Sequence, residues 1–208
     1  MNSILLRPEH ARACYVFAHG AGAGMQHAFM AAYADGLAQR GIATLRYQFP
    51  YMDQGSKRPD PPAIAHAAVR AAVAEARAQC ADLPLFAGGK SFGGRMTSQA
   101  QAKESLPEVR GLVFVGFPLH AAGKPSLDRA EHLSSVRCPM LFLQGTRDEL
   151  ADVALVDKVI ERLGDRATLV LFDGADHSFH VRASSGRNDG QVRAAMLDAT
   201  ADWIATQI

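Results

Sequence analysis

Short, almost continuously apolar runs alternate along this chain with longer stretches in which apolar residues recur every three or four positions. The apolar runs predict six strands, at residues 13–18, 42–47, 84–88, 111–116, 140–145 and 167–172, with residues 3–6 as an antiparallel edge strand. Strands that are apolar on both faces are typical of a parallel sheet covered by helices. The alternation therefore predicts an α/β fold built from strand–helix–strand units.

Helical patterns occupy the gaps, over residues 26–40, 61–79, 153–163 and 191–206. The first carries Phe29, Tyr33 and Leu37 on one face, and the glycine that follows it is a usual helix terminator. Two stretches, 48–60 and 117–133, show neither period. Irregular segments on a rigid scaffold commonly carry binding surfaces, so we expect part of the functional site there.

The composition is that of a globular protein with one core. The 208 residues are 48% hydrophobic and 21% charged, and neither an internal repeat nor a low-complexity linker divides them. We therefore expect a single domain over residues 1–208.

The charge balance and the cysteines exclude several classes of protein. The 22 Lys and Arg residues against 21 Asp and Glu give a net charge of +1, which provides no basic surface for nucleic acid or an anionic membrane. Cys14, Cys80 and Cys138 lie far apart, so they predict neither a disulfide framework nor a zinc site. Residues 1–10 do not resemble a secretory signal, and no apolar run is long enough to span a bilayer. These features favour a cytoplasmic location.

The strongest chemical signal is the segment AGGKSFGG at residues 87–94, between a predicted strand and a helical stretch. Gly89, Ser91 and Gly93 match the pattern G-x-S-x-G, in which a strained turn exposes a nucleophilic serine. The N–H of Phe92 would begin the next helix and point at the negative oxygen that forms when a serine attacks an acyl carbon. The segment predicts Ser91 as a nucleophile.

The same segment has a second interpretation, because Gly89, Lys90 and Ser91 also match the end of a phosphate-binding loop. That loop needs a glycine at position 84, where this chain has Pro84, and the residues between have the pattern of a strand. A nucleotide site is therefore not expected.

A serine nucleophile needs a histidine to accept its proton and a carboxylate to orient that histidine. When the serine lies on such a turn, the acid and then the histidine follow later strands of the sheet. Asp148 and His177 follow the last two predicted strands, and the position of Asp148 in its loop favours it over Glu149 and Asp152. The order predicts a triad of Ser91, Asp148 and His177.

Asp176 and His180 lie close to His177 and could be imagined as metal ligands with it. No third-ligand cluster with recognisable spacing accompanies them. We expect neither a metal nor a cofactor.

The negative oxygen needs a second backbone donor, which is expected from the loop after the first core strand. That loop reads AHGAGAG at residues 18–24, and its small residues let the backbone approach a substrate closely. We assign the second donor of the oxyanion hole to Ala21, beside Phe92, with Gly22 as the alternative. His19 is expected to be a structural hydrogen-bonding residue.

Together these motifs resemble the α/β-hydrolase superfamily over residues 13–208. The likeness is carried by HGAG at 19–22, GKSFGG at 89–94, QGTRD at 144–148 and DH at 176–177. RYQFPYM at 46–52, RPDPP at 58–62, PLH at 118–120 and GKP at 123–125 further resemble a compact dienelactone-hydrolase-like family. That family includes the hydrolase-like domains of testis-expressed protein 30 and of a subunit of the NSL chromatin complex. The resemblance implies a mostly parallel sheet of six or seven strands flanked by helices, although dienelactone hydrolases usually carry cysteine where this chain has Ser91.

Residues and resemblance together predict a serine hydrolase that cleaves a small ester or thioester through an acyl-enzyme intermediate. Phe49, Tyr51, Phe92 and Phe117 are expected to line the substrate pocket. The irregular stretch 117–133 is too short for a cap domain, which predicts a preference for short acyl chains. A peptidase using the same residues and a binding or scaffold domain without activity stay open as alternatives, as does the oligomeric state.

Overall fold

Seven strands form one sheet in the computed structural model, which describes residues 2–208. They are β1 (Ser3–Leu6), β2 (Ala13–Ala18), β3 (Ile42–Tyr47), β4 (Leu85–Lys90), β5 (Val109–Val115), β6 (Met140–Gly145) and β7 (Ala167–Phe172). Their spatial order is β1-β3-β2-β4-β5-β6-β7. β1 pairs antiparallel with β3, and the other described pairs are parallel. The predicted α/β sheet is confirmed, with β4 and β5 displaced by one or two residues at each end.

Helices cover both faces of the sheet. They are α1 (Ala28–Ala38), α2 (Pro50–Asp53), α3 (Pro62–Gln79), α4 (Phe92–Lys103), α5 (Val153–Leu163) and α6 (Asp189–Ala205). The four predicted ranges are occupied by α1, α3, α5 and α6. The first stretch without a period contains α2, and the second overlaps a 3-10 helix, Asp128–Ser135. Elements this short or this tightly wound leave no 3.6-residue pattern. Within residues 2–208, every helix is too short or too polar to cross a bilayer.

The sheet separates two hydrophobic layers, because successive side chains of a strand point to opposite faces. In β2, Tyr15 and Phe17 pack in the layer that contains α1 and α6. Cys14 and Val16 pack in the layer that contains α3, α4 and α5. Burial on both faces explains why the strands have nearly continuous apolar sequences.

The direction in which the chain adds strands reverses beside β2. From β2 the chain passes through α1 to β3 on one side, then returns through α3 to β4 on the other side. The loops that follow β2 and β4 therefore leave a crevice at the carboxyl edge of the sheet. This crevice is where a ligand site is expected in an open α/β sheet.

The segment between β5 and β6 (residues 116–139) adds no cap over this crevice. Its 3-10 helix packs against α4 and α5, with Ala130 and Leu133 buried in the core. The absence of a cap domain agrees with the expectation from the length of this segment.

Candidate active site

Ser91 occupies a strained turn between β4 and α4. Its backbone has φ 50° and ψ −114°, a conformation that few residues other than glycine adopt, and its N–H donates to the Val115 carbonyl at 3.1 Å. A Cβ at Gly89 would lie 2.4 Å from the Ala18 carbonyl oxygen, and a Cβ at Gly93 would lie 2.6 Å from the same oxygen. Both positions need glycine because the loop after β2 passes directly against this turn.

The three predicted triad residues come together by hydrogen bonds. The Nε2 atom of His177 lies 2.8 Å from the Ser91 hydroxyl, and its Nδ1 atom lies 2.7 Å from Asp148 Oδ2. Asp148 is buried, and its Oδ1 atom accepts a 2.8 Å hydrogen bond from the Leu150 N–H. With its proton on Nδ1, His177 donates to Asp148 and can accept the serine proton at Nε2.

Gln144, at the end of β6, is a site residue that the sequence analysis missed. Its Nε2 atom donates to Asp148 Oδ2 at 2.6 Å, and its Oε1 atom accepts from the Phe117 N–H at 3.0 Å. Gln144 therefore holds the Asp148 carboxylate and joins β6 to the loop after β5. The available signal was a polar residue in an apolar strand immediately before the candidate acid.

The competing acids point elsewhere. Asp152 caps the N-terminus of α5 by accepting from the Leu155 N–H, and Glu149 is exposed to solvent. Neither forms a hydrogen bond with His177, so the geometry singles out Asp148.

The imagined metal ligands do not converge either. Asp176 accepts from backbone N–H groups of its own turn, while His180 Nδ1 lies 2.9 Å from Asp189 on the surface. Asp189 raises the pKa of His180 by hydrogen bonding and charge. Within residues 2–208, no group of three or more His, Cys, Asp and Glu side chains is arranged to hold a metal.

The two backbone N–H groups predicted to form the oxyanion hole have no acceptor among the described residues. Phe92 begins α4, where N–H groups lack acceptors inside the helix, and Ala21 borders the cavities at Ser91. Neither N–H donates to another group in the described part of the chain. The alternative donor, Gly22, instead donates to the Tyr51 hydroxyl at 2.9 Å, which leaves Ala21 as the second candidate.

A family model described as an alpha/beta hydrolase domain matches residues 11–205. This chain belongs to that family. The narrower likeness to testis-expressed protein 30 and the NSL subunit stays a prediction.

Several solved structures have the same fold as this chain. The chain superimposes on dienelactone hydrolase from Anabaena variabilis with a TM-score of 0.79 at 22% identity, over 99% of this chain and 91% of that chain. For a serine hydrolase without a lid from Xanthomonas campestris, the TM-score is 0.73 at 23% identity, over 97% and 88%. For Est1E from Butyrivibrio proteoclasticus with ferulic acid bound, it is 0.69 at 16% identity, over 96% and 95%. At these identities the likeness shows the fold alone.

In this alpha/beta hydrolase, His19 and Lys90 support the loops around the serine. His19 is buried, with Nδ1 2.8 Å from the Gly20 carbonyl and Nε2 accepting from the Phe49 N–H at 3.1 Å, and burial lowers its pKa. Lys90 Nζ donates to the His177 carbonyl at 2.6 Å, and burial lowers its pKa to about 8. The expected structural role of His19 agrees with these contacts.

Two cavities meet at Ser91. The larger cavity, of about 510 Å³, is lined by Gly20, Ala21, Ala23, His27, Phe29, Met30, Lys90, Ser91, Leu150, His177 and Ser178. The smaller cavity, of about 350 Å³, is lined by Ala21, Pro59, Asp60, Pro62, Ser91, Phe92, Arg95, Met96, Pro118, Arg129 and Leu150. Ser91 therefore borders two separate cavities.

The predicted pocket lining is wrong for Phe49, Tyr51 and Phe117. All three are at most 2% exposed and border neither cavity at Ser91. Phe49 packs edge-on against Phe92, with ring centroids 5.3 Å apart, and Phe117 packs against phenylalanines of β5 and β6. These aromatic rings fill the core beneath the loops, so of the four only Phe92 borders a cavity at Ser91.

Proposed function

We propose that this protein is a serine hydrolase that cleaves small-molecule esters or thioesters. The observation that carries the proposal is the continuous chain of hydrogen bonds from Ser91 through His177 to Asp148, at the junction of two cavities. The strained turn supports the same role, because it holds the hydroxyl at a helix N-terminus beside two free N–H groups. The hydrolase names of the similar structures from Anabaena variabilis and Xanthomonas campestris add support at the level of reaction class.

In the first half of the reaction, the Ser91 oxygen attacks the acyl carbon while its proton passes to His177 Nε2. The carbonyl oxygen becomes negative and accepts hydrogen bonds from the N–H groups of Ala21 and Phe92. Asp148 stabilises the positive imidazolium. The bond to the leaving alcohol or thiol then breaks, the leaving group takes the proton from His177, and an acyl-serine ester remains.

In the second half, water replaces the leaving group. His177 removes a proton from the water as it attacks the acyl carbon, and the same two N–H groups bind the oxyanion. Collapse breaks the bond to Ser91, which recovers its proton from His177. The products are a carboxylic acid and the free enzyme, and no cofactor takes part.

Covalent labelling tests this proposal. A fluorophosphonate should modify the wild-type protein at Ser91, as located by peptide mapping, and Ser91→Ala should lose both labelling and ester turnover. Ser178→Ala is the matched control, because this serine also borders the larger cavity but has no hydrogen bond to His177. An adduct on another serine would refute the assignment. A wild-type protein that neither labels nor hydrolyses a panel of esters would indicate a binding domain instead.

A further inference from the structure

The smaller cavity contains two arginines without a carboxylate partner. Arg95 lies on α4 one turn after Ser91, and Arg129 lies on the 3-10 helix that packs against α4. Both border the cavity together with Ser91. Neither takes part in an ion pair with any carboxylate of residues 2–208.

The guanidinium of Arg95 is partly buried without a carboxylate to balance its charge. Its Nε atom is buried and has no hydrogen-bond partner in the described chain. Burial and the charge of Arg129 lower the pKa of Arg95. A half-buried cation facing a second cation is costly unless an anion neutralises the pair.

The other polar groups of the cavity do not supply that anion. Arg129 Nη1 donates to the His120 carbonyl at 2.9 Å, which fixes the side chain but leaves its charge unpaired. Asp60 also borders the cavity, but its Oδ2 atom accepts from the Tyr51 N–H at 2.9 Å and forms no ion pair with either arginine. The lining therefore carries two positive charges against one negative charge.

We infer that Arg95 and Arg129 bind an anionic group of the substrate, a carboxylate or a phosphate, a few bonds from the scissile carbonyl. Guanidinium groups suit both anions because their N–H groups match the oxygen pairs of each. The larger cavity provides the apolar surfaces of Ala23, Phe29 and Met30, and its lysine, Lys90, donates to the His177 carbonyl. The substrate class is thus an ester or thioester with an apolar group on one side of the scissile bond and an anion on the other. This inference rests on the proposed function.

Matched substrates test the charge requirement. We expect a higher kcat/KM for 4-carboxyphenyl or 4-phosphonophenyl butyrate than for neutral 4-(methoxycarbonyl)phenyl butyrate, and the difference between the two anions distinguishes carboxylate from phosphate. A second comparison, of kcat/KM for phenyl hemisuccinate and for neutral phenyl methyl succinate, tests a charge on the acyl side of the scissile bond. Equal kcat/KM for charged and neutral members of both sets would overturn the inference while leaving the hydrolase proposal intact.

Substitution of the arginines locates the effect. Arg95→Gln should lower kcat/KM for the preferred anionic ester about tenfold to hundredfold, the range lost with a charged hydrogen-bond partner, and change the neutral ester less than about threefold. Arg95→Lys should restore part of the lost kcat/KM. If Arg95→Gln does not fold, Arg129→Gln takes its place in the same comparison. Arg137→Gln is the matched control, since Arg137 is exposed and borders neither cavity. Equal losses for charged and neutral esters would mean a structural role only.

A binding measurement separates failure of this inference from failure of the proposed function. Calorimetry on Ser91→Ala protein needs no turnover, and 4-carboxyphenyl butyrate should bind more tightly than its neutral methyl ester. Adding Arg95→Gln should abolish that difference. Equal binding of the two esters to the Ser91→Ala protein would overturn the anion site even if the protein hydrolyses no ester tested.

Discussion

The surroundings of single residues determine what the candidate site can do, and Asp148 is the clearest case. Its carboxylate accepts hydrogen bonds from the His177 ring, the Gln144 amide and the Leu150 N–H. An amide of the same shape would place its NH₂ group against one of these donors. The acid position therefore requires a carboxylate for its hydrogen bonds as well as for its charge.

Asp148→Asn should keep the fold and lower kcat by about three to four orders of magnitude, because His177 would favour the wrong tautomer. Steady-state kinetics and a thermal melt on the same preparation check both parts. Asp152→Asn is the control, since Asp152 only caps α5. Turnover near the wild-type value in Asp148→Asn would transfer the acid role to another residue such as Glu149.

His132 should make the protein sensitive to acid. Burial, together with the charges of Arg95 and His66, lowers the pKa of His132 from 6.5 to about 4. Between these two values the unfolded chain binds more protons, so the free energy of unfolding falls as the pH drops through this range. His132→Gln should remove on the order of 2 kcal/mol of that loss.

Urea unfolding at about pH 7 and about pH 4 measures the effect on the free energy of unfolding. His10→Gln is the control variant, because His10 is exposed to solvent. If both variants lose as much stability on acidification as the wild-type protein, His132 does not carry the acid sensitivity.

Among the elements, the turn between β4 and α4 is the one that carries the predicted nucleophile, Ser91. Its sequence was recognised because the pattern places a glycine two residues before and two residues after the serine, where a Cβ would meet the backbone of the loop after β2. The strands were also predictable, because burial on both faces leaves a continuous apolar run. α2 was not predicted, since four residues cannot display a helical period.

Gly93→Ala should destabilise this turn by about 3 kcal/mol and suppress labelling of Ser91, because the new methyl group would lie 2.6 Å from the carbonyl oxygens of Ala18 and His19. Gly55→Ala is the control: Gly55 has φ +71° but open space around it, so the cost should be only about 1 kcal/mol of backbone strain. Urea unfolding and fluorophosphonate labelling measure the two effects. Equal, small losses in both variants would show that the loop after β2 can move away.

At the scale of the whole molecule, the carboxyl edge of the sheet is open, which would limit how much of a substrate can be buried. The segment between β5 and β6 packs onto the helices and borders the site only along the smaller cavity, through Pro118 and Arg129. The larger cavity, about 510 Å³, is open to solvent and has a short apolar wall. Long chains attached to a substrate would therefore remain largely in water.

Among neutral esters, we predict a preference for acyl groups of about two to six carbons, since each methylene buried contributes about 0.8 kcal/mol and the apolar wall soon ends. The measurement is kcat/KM across a series of p-nitrophenyl esters with a common leaving group. The rate should show no jump at the critical micelle concentration. Values that keep rising to palmitoyl esters would require a deep channel that the described residues do not form.

The chain by itself determined the α/β sheet and predicted the nucleophile, the acid and the base. Each depends on a short local pattern: an apolar run, or a polar residue directly after a strand that ends at the common edge of the sheet. Tertiary structure alone decided the cavity lining and the hydrogen bond from Gln144 to Asp148. It also decided that Arg95 and Arg129 border the same cavity. Periodicity encodes which side of an element is buried, but not which distant loops meet above the sheet. Phe49 and Phe117 could therefore not be distinguished from pocket residues until their packing was known.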